Sequence, residues 1–174
     1  MEEQREVSIL KSTFNYGVTL GLVFVIYQTI MWMLGLTIEN ITGYIGYLIL
    51  IAGIVLATKA FRDNELGGFI TYGKSLATGL LVSLFASIVL SVFIYVLHKF
   101  IDPGLVDKSL AEVSRRLYEG GFTEEQIDTA MQLQERVLTP FVIAIGQLFN
   151  TVFMGFLFSL ITSIFLKKTK ILQA

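Results

Sequence analysis

The chain has 174 residues, of which 54% are hydrophobic and 16% charged, with a net charge of −1 and a mean hydropathy of +0.71. That balance excludes an ordinary soluble domain, where about a quarter of residues are charged, and it gives no basis for nucleic-acid binding. The absence of cysteine excludes disulfides and thiolate metal sites, and the single histidine, His98, excludes a His-rich metal site within one chain.

Residues 1–11 are polar, with Arg5 and Lys11 ahead of the first apolar run. Four runs lack Asp, Glu, Lys, Arg and His: Ser12–Ile38, Asn40–Thr58, Ser75–Leu97 and Val137–Leu166, of 27, 19, 23 and 30 residues. About 20 helical residues cross a hydrocarbon core, so the pattern predicts a polytopic all-α membrane protein. Its spans fall at about 12–36, 40–58, 75–97 and 138–166. The first run exceeds the 7–15 residues of a signal-peptide core, and no small-residue cleavage pattern follows it, so a retained span is expected. Trp32 and Tyr16 are its candidate interfacial anchors.

A short turn, Gly35–Gly43, leads to the second span, which ends at Lys59 and Arg62. The charged stretch Lys59–Ser75 then separates the second and third runs. Its Gly68–Ser75 segment, GFITYGKS, fits the phosphate-loop pattern G-x-x-x-x-G-K-[ST]. Such a loop needs a feeding strand, a parallel sheet and an acidic metal ligand on another strand. No segment here can supply them, so the match reads as coincidence. Gly67-Gly68 is instead expected to break the chain, with Phe69 and Tyr72 at the interface and Lys74 extended to solvent.

Between the third and fourth runs lies segment 98–136, carrying five basic and eight acidic residues. Val106, Leu110, Val113 and Leu117 recur at helical spacing, and Gly120-Gly121 can end that helix. Thr123-Glu124-Glu125-Gln126 reads as a capping box, with Phe122 and Ile127 as its hydrophobic staple. Ile127, Ala130, Met131, Val137 and Leu138 share one face, which allows the second helix to run toward the fourth span, with Pro140 as a kink or boundary. The expectation is an amphipathic αα-hairpin resting on the bundle or the membrane surface. Leu110, Arg115, Arg116, Leu117, Ile127 and Met131 are its candidate partner-binding residues.

Counting Lys and Arg near the span ends gives eight on the side of the termini and five on the hairpin side. The positive-inside rule then places both termini in the cytoplasm and the hairpin outside.

Small residues recur at spacing four in each span. The first has Gly17 and Gly21; the second has Gly53 and Ala57. The third has Ser75, Gly79, Ser83, Ser87 and Ser91, and the fourth has Gln147, Thr151, Gly155, Ser159 and Ser163. These rows read as helix-packing faces, each drifting around its helix so that only part meets one neighbour. Asn15, Gln28, Gln147 and Asn150 are the polar amides within the runs, and they read as interhelical hydrogen-bonding groups. No run carries an ionisable group of the kind that marks proton-coupled transport, and no acid–base pair or metal or cofactor motif is present.

Arg62-Asp63 followed by GGFITYGKS, the first-span GxxxG and the EGGFTEEQIDTAMQ hairpin resemble a Bacteroidota family of small four-span membrane proteins classed as a domain of unknown function. The resemblance covers nearly the whole chain. It implies a helical inner-membrane protein and supplies no activity, cofactor or catalytic residue. The family pattern often carries alanine after the loop lysine, which speaks against a phosphate loop there. The leading expectation is therefore a non-enzymatic interaction or assembly protein, with the lipid bilayer and a membrane-protein partner or a second copy as its contacts. A small-solute channel or transporter subunit is the alternative, with a path expected along Ser83, Ser87 and Ser91.

Overall fold

The computed structural model describes residues 9–37 and 40–168. Arg5 and Lys170, two of the basic residues counted on the side of the termini, lie outside them. The described chain is predominantly helical: α1 Ile9–Met33, α2 Asn40–Glu65, α3 Tyr72–Val96, α4 Gly104–Glu119, α5 Glu124–Val137 and α6 Pro140–Leu166. A π-helical turn, Leu97–Ile101, extends α3. Among the described residues the one extended pairing is an isolated antiparallel bridge between Ile70 and Lys168. Four helices, α1, α2, α3 with its π turn, and α6, are long and apolar enough to cross a membrane. The protein is a multi-pass membrane protein with a helical hairpin, α4–α5, between its last two spans.

Helix α3 is the centre of the bundle, packing most extensively on α6 and α1 and less on α2. It carries ten buried residues, of which five are Ser or Thr. Small side chains let backbones approach closely where lipid offers no hydrophobic drive to helix association. The apolar core around it includes Leu20, Phe24, Leu50, Ile54, Val82, Ala86, Leu90 and Ile94.

Local signals fix the helix ends. Thr71 caps α3 by accepting from Lys74 N at 3.3 Å, and Thr139 caps α6 by accepting from Val142 N at 3.3 Å. Pro140 occupies the first turn of α6, where its missing N–H loses nothing. It is therefore a boundary and not a kink. Helix α5 stops at Val137, and Leu138-Thr139 separates it from α6, so the hairpin's second helix does not run into the last span.

The second span also ends differently from its apolar run. Helix α2 continues past Thr58 through the charged residues to Glu65. Polar contacts at that end explain the extension. Arg62 Nη1 donates to the Leu166 carbonyl at 3.3 Å, and Ser12 Oγ donates to Glu65. The true loop shrinks to residues 66–71, where Gly67 and Gly68 take φ of +64° and +84°, a region open to glycine at little strain.

Candidate functional site

The hairpin is built from its own sequence signals. Helix α4 ends in a Schellman motif: Phe122 N donates to Leu117 O at 3.2 Å and Gly121 N to Tyr118 O at 3.1 Å, with Gly121 at φ +79°. The capping box is complete, with Gln126 N donating to Thr123 Oγ1 at 3.4 Å and Thr123 N to Gln126 Oε1 at 3.0 Å. Ile127 and Leu105, each 3% exposed, are the buried residues of the two helices.

The candidate partner-binding residues fall into two groups. Ile127 is buried, and Leu110, Leu117 and Met131 are half-buried on the apolar faces of the hairpin. Arg115 and Arg116 are engaged with Glu112, at 2.7 Å from Arg115 Nη2 and 2.7 Å from Arg116 Nε, and Arg115 also reaches Glu119 at 2.6 Å. Arg115, then Arg116, hold the Glu112 carboxyl down to about 2. Glu112 in turn raises the Arg115 guanidinium above its usual range.

What the hairpin leaves outside is at its tip. Tyr118 is 56% exposed and Phe122 50% exposed, on either side of the Gly120-Gly121 turn. Glu119, Glu124, Glu125 and Asp128 surround that turn in sequence and are exposed. In the sequence Phe122 reads only as a staple residue, and Tyr118 lies off the Val106, Leu110, Val113 and Leu117 stripe.

The hairpin is tethered at its base. Trp32 Nε1 at the end of α1 donates to Asp102 Oδ2 at 3.1 Å, and Lys108 lies 3.4 Å from the same oxygen. The indole N–H, reinforced by Lys108, holds the Asp102 carboxyl below the usual range. His98 is buried at 6% exposure, its Nδ1 donating to the Ile94 carbonyl at 2.9 Å, so it is a packed residue of the π turn. Helix α4 touches that turn, and the hairpin makes no extensive contact with the four long helices. Its contact with the spans is confined chiefly to that turn.

At the opposite end, the phosphate-loop-like segment is occupied by folding contacts. Ile70, 2% exposed, exchanges two backbone hydrogen bonds with Lys168, each 2.9 Å. Lys168 Nζ sits 5.8 Å from the Phe69 ring centroid, and Tyr72 donates to the Leu160 carbonyl at 3.3 Å. Ser75, the position of the metal-binding hydroxyl in a phosphate loop, is 1% exposed inside the helix interface. The segment staples the end of α6 to the start of α3.

The small-residue rows meet one another. A Cβ on Gly155 would overlap Ser83, and a Cβ on Gly79 would overlap Ser159. Both pairs belong to one antiparallel register between α3 and α6, which also sets Ser75 level with Ser163 and Ser87 level with Thr151. All four of these residues are buried. Gly17 and Gly21 seat α3 differently, their added Cβ atoms falling 2.5 Å from Phe85 Cβ and 2.6 Å from Val89 Cβ. Gly53 accommodates Leu20 of α1.

Three of the four polar amides converge. Gln28, Gln147 and Asn150 line one cleft of about 170 Å³ between α1, α2 and α6, floored by Phe24, Leu50 and Leu90. Asn150 donates to the Tyr47 hydroxyl at 3.4 Å, Gln147 to Thr151 at 3.0 Å, and Tyr27 to the Thr42 carbonyl at 2.8 Å. Residues from runs one, two and four thus share a site that no single stretch of sequence announces.

A family model described as a protein of unknown function, DUF4199, matches residues 15–168. The chain belongs to this family. No curated protein and no solved structure matches it.

Proposed function

We propose that this is a non-enzymatic interaction or assembly protein of the inner membrane, with both termini cytoplasmic and the α4–α5 hairpin presented on the extracytoplasmic side. The carrying observation is the hairpin tip, where exposed Tyr118 and Phe122 stand among exposed carboxylates. Aromatic side chains anchor protein interfaces at small conformational cost, and charge around them selects the partner. The tip therefore fits a membrane-protein partner that offers an apolar pocket with a basic rim. The hairpin's caps and ion cluster lie within the hairpin itself, which suits a protruding docking element.

The lysine-and-arginine asymmetry supports the orientation, and the family resemblance supports the bacterial inner membrane. A photo-crosslinking residue at position 122 in intact membranes should give one discrete adduct, and reversing Glu124, Glu125 and Asp128 to Lys together should abolish it. Adduct formation that ignores the charge reversal contradicts a basic-rimmed partner. The serine row expected to line a transport path is buried in this structure: Ser83 and Ser87 are 0% exposed and Ser91 7%.

A further inference from the structure

The geometry points to the cleft between α1, α2 and α6 as a binding site for a small uncharged polyhydroxyl group, either a free polyol or the sugar or glycerol headgroup of a lipid. Among the described residues its lining carries no Asp, Glu, Lys, Arg or His. A charged ligand would meet no counter-charge among these residues, and unpaired charge is strongly disfavoured beside hydrocarbon.

The walls, by contrast, hold three carboxamides and two phenols, groups that donate and accept alike. Much of that capacity is unspent among the described residues. Gln28 makes no side-chain hydrogen bond there. Asn150 spends one long bond, 3.4 Å, on Tyr47. In hydrocarbon an amide left so is costly, and Asn150 lies roughly 15 Å along α6 from Pro140 at 1.5 Å per residue. The apolar floor of Phe24, Leu50 and Leu90, each buried, suits the carbon face of a polyol while the walls take its hydroxyls. A volume of about 170 Å³ admits a group of a few carbons and their hydroxyls, the space of roughly five waters. Past Thr151, α6 packs tightly on α3 through Ser83 on Gly155 and Gly79 on Ser159.

The cysteine-free chain allows a direct test. Gly43 and Gly46 both line the cleft, and an added Cβ meets nothing within 4 Å at Gly43 and only Tyr27 at 4.0 Å at Gly46. Full-length Gly43→Cys and Gly46→Cys proteins in phosphatidylcholine vesicles are labelled with N-ethylmaleimide, and the rate is followed with erythritol or with the zwitterion betaine as protectant. Erythritol should slow labelling several-fold at both positions while betaine does not, and adding Asn150→Leu should remove the protection. Slowing in vesicles of glucosyl diacylglycerol without any solute assigns the ligand to lipid. Two positions guard against one variant misfolding, and Gly146→Cys, outside the cleft with open space around it, reports non-specific effects. Labelling unchanged by both erythritol and the glycolipid, or slowed equally by betaine, overturns the assignment. The hairpin plays no part in this measurement.

Discussion

Ser83 of α3 occupies the space that a side chain on Gly155 of α6 would need, and four residues away on each helix Ser159 does the same to Gly79. The two exchanges of glycine for serine, one in each direction, lock the register of the longest helix contact in the molecule. Gly155→Ala should therefore destabilise the fold by about 1–3 kcal/mol, the usual range for overpacking, and Gly79→Ala should do the same. Gly146→Ala lies in the same helix with nothing within 4 Å of the added Cβ and should show no loss. Thermal unfolding in detergent checks the contrast; equal effects at Gly146 and Gly155 would refute the register.

The capping box makes α5 sensitive to a single hydroxyl. Thr123→Ala removes the acceptor for Gln126 N and should weaken the hairpin by about 1 kcal/mol. Amide exchange should quicken across the first turn of α5 and leave α3 and α6 unaffected, since the hairpin has little contact with them.

The Glu112 cluster sets a pH window. Its carboxyl lies at about 2 in the fold against an ordinary 4.5, so its contribution is fully present above 4.5 and is lost as pH falls through 2. Acidification from pH 7 to 5 should leave the cluster intact. A carbon-13 titration of Glu112 should give a midpoint near 2, and Arg115→Gln should raise it toward the ordinary value. A wild-type midpoint above 4 contradicts the geometry.

The bundle is stapled at the loop end through backbone, so Ile70→Pro, which removes the N–H donated to Lys168, should free the chain after α6. Proteolysis near Lys167 should become faster, with the membrane insertion of the four helices retained. Arg62→Ala, which loses the bond to the Leu166 carbonyl, should act in the same direction and more weakly.

Much of this was legible in the sequence because each signal is local. Charge-free runs mark the spans, Thr123 and Gln126 mark the start of α5, and Gly120-Gly121 marks the end of α4. The small-residue rows announce packing faces but not their pairing; the antiparallel register of Ser83 with Gly155 is a long-range property. A straight helix predicts that a spacing-four row drifts off one neighbour, yet Ser75 to Ser91 stays buried because α3 is surrounded by α1, α2 and α6. The extension of α2 to Glu65 was hidden for the same reason, its partner Leu166 lying over a hundred residues on. The polar cleft was least visible, since Gln28, Gln147 and Asn150 come from different spans and only the fold brings them to one place.

The most direct test of the docking account is affinity purification of the tagged full-length protein in mild detergent beside a version lacking residues 105–135, with mass spectrometry and a size measurement of each complex. The account predicts a discrete larger membrane assembly for the full chain, its loss on deletion of the hairpin or on the Tyr118→Ser/Phe122→Ser double substitution, and unchanged membrane insertion in all three. Retention of the same assembly without the hairpin would contradict it.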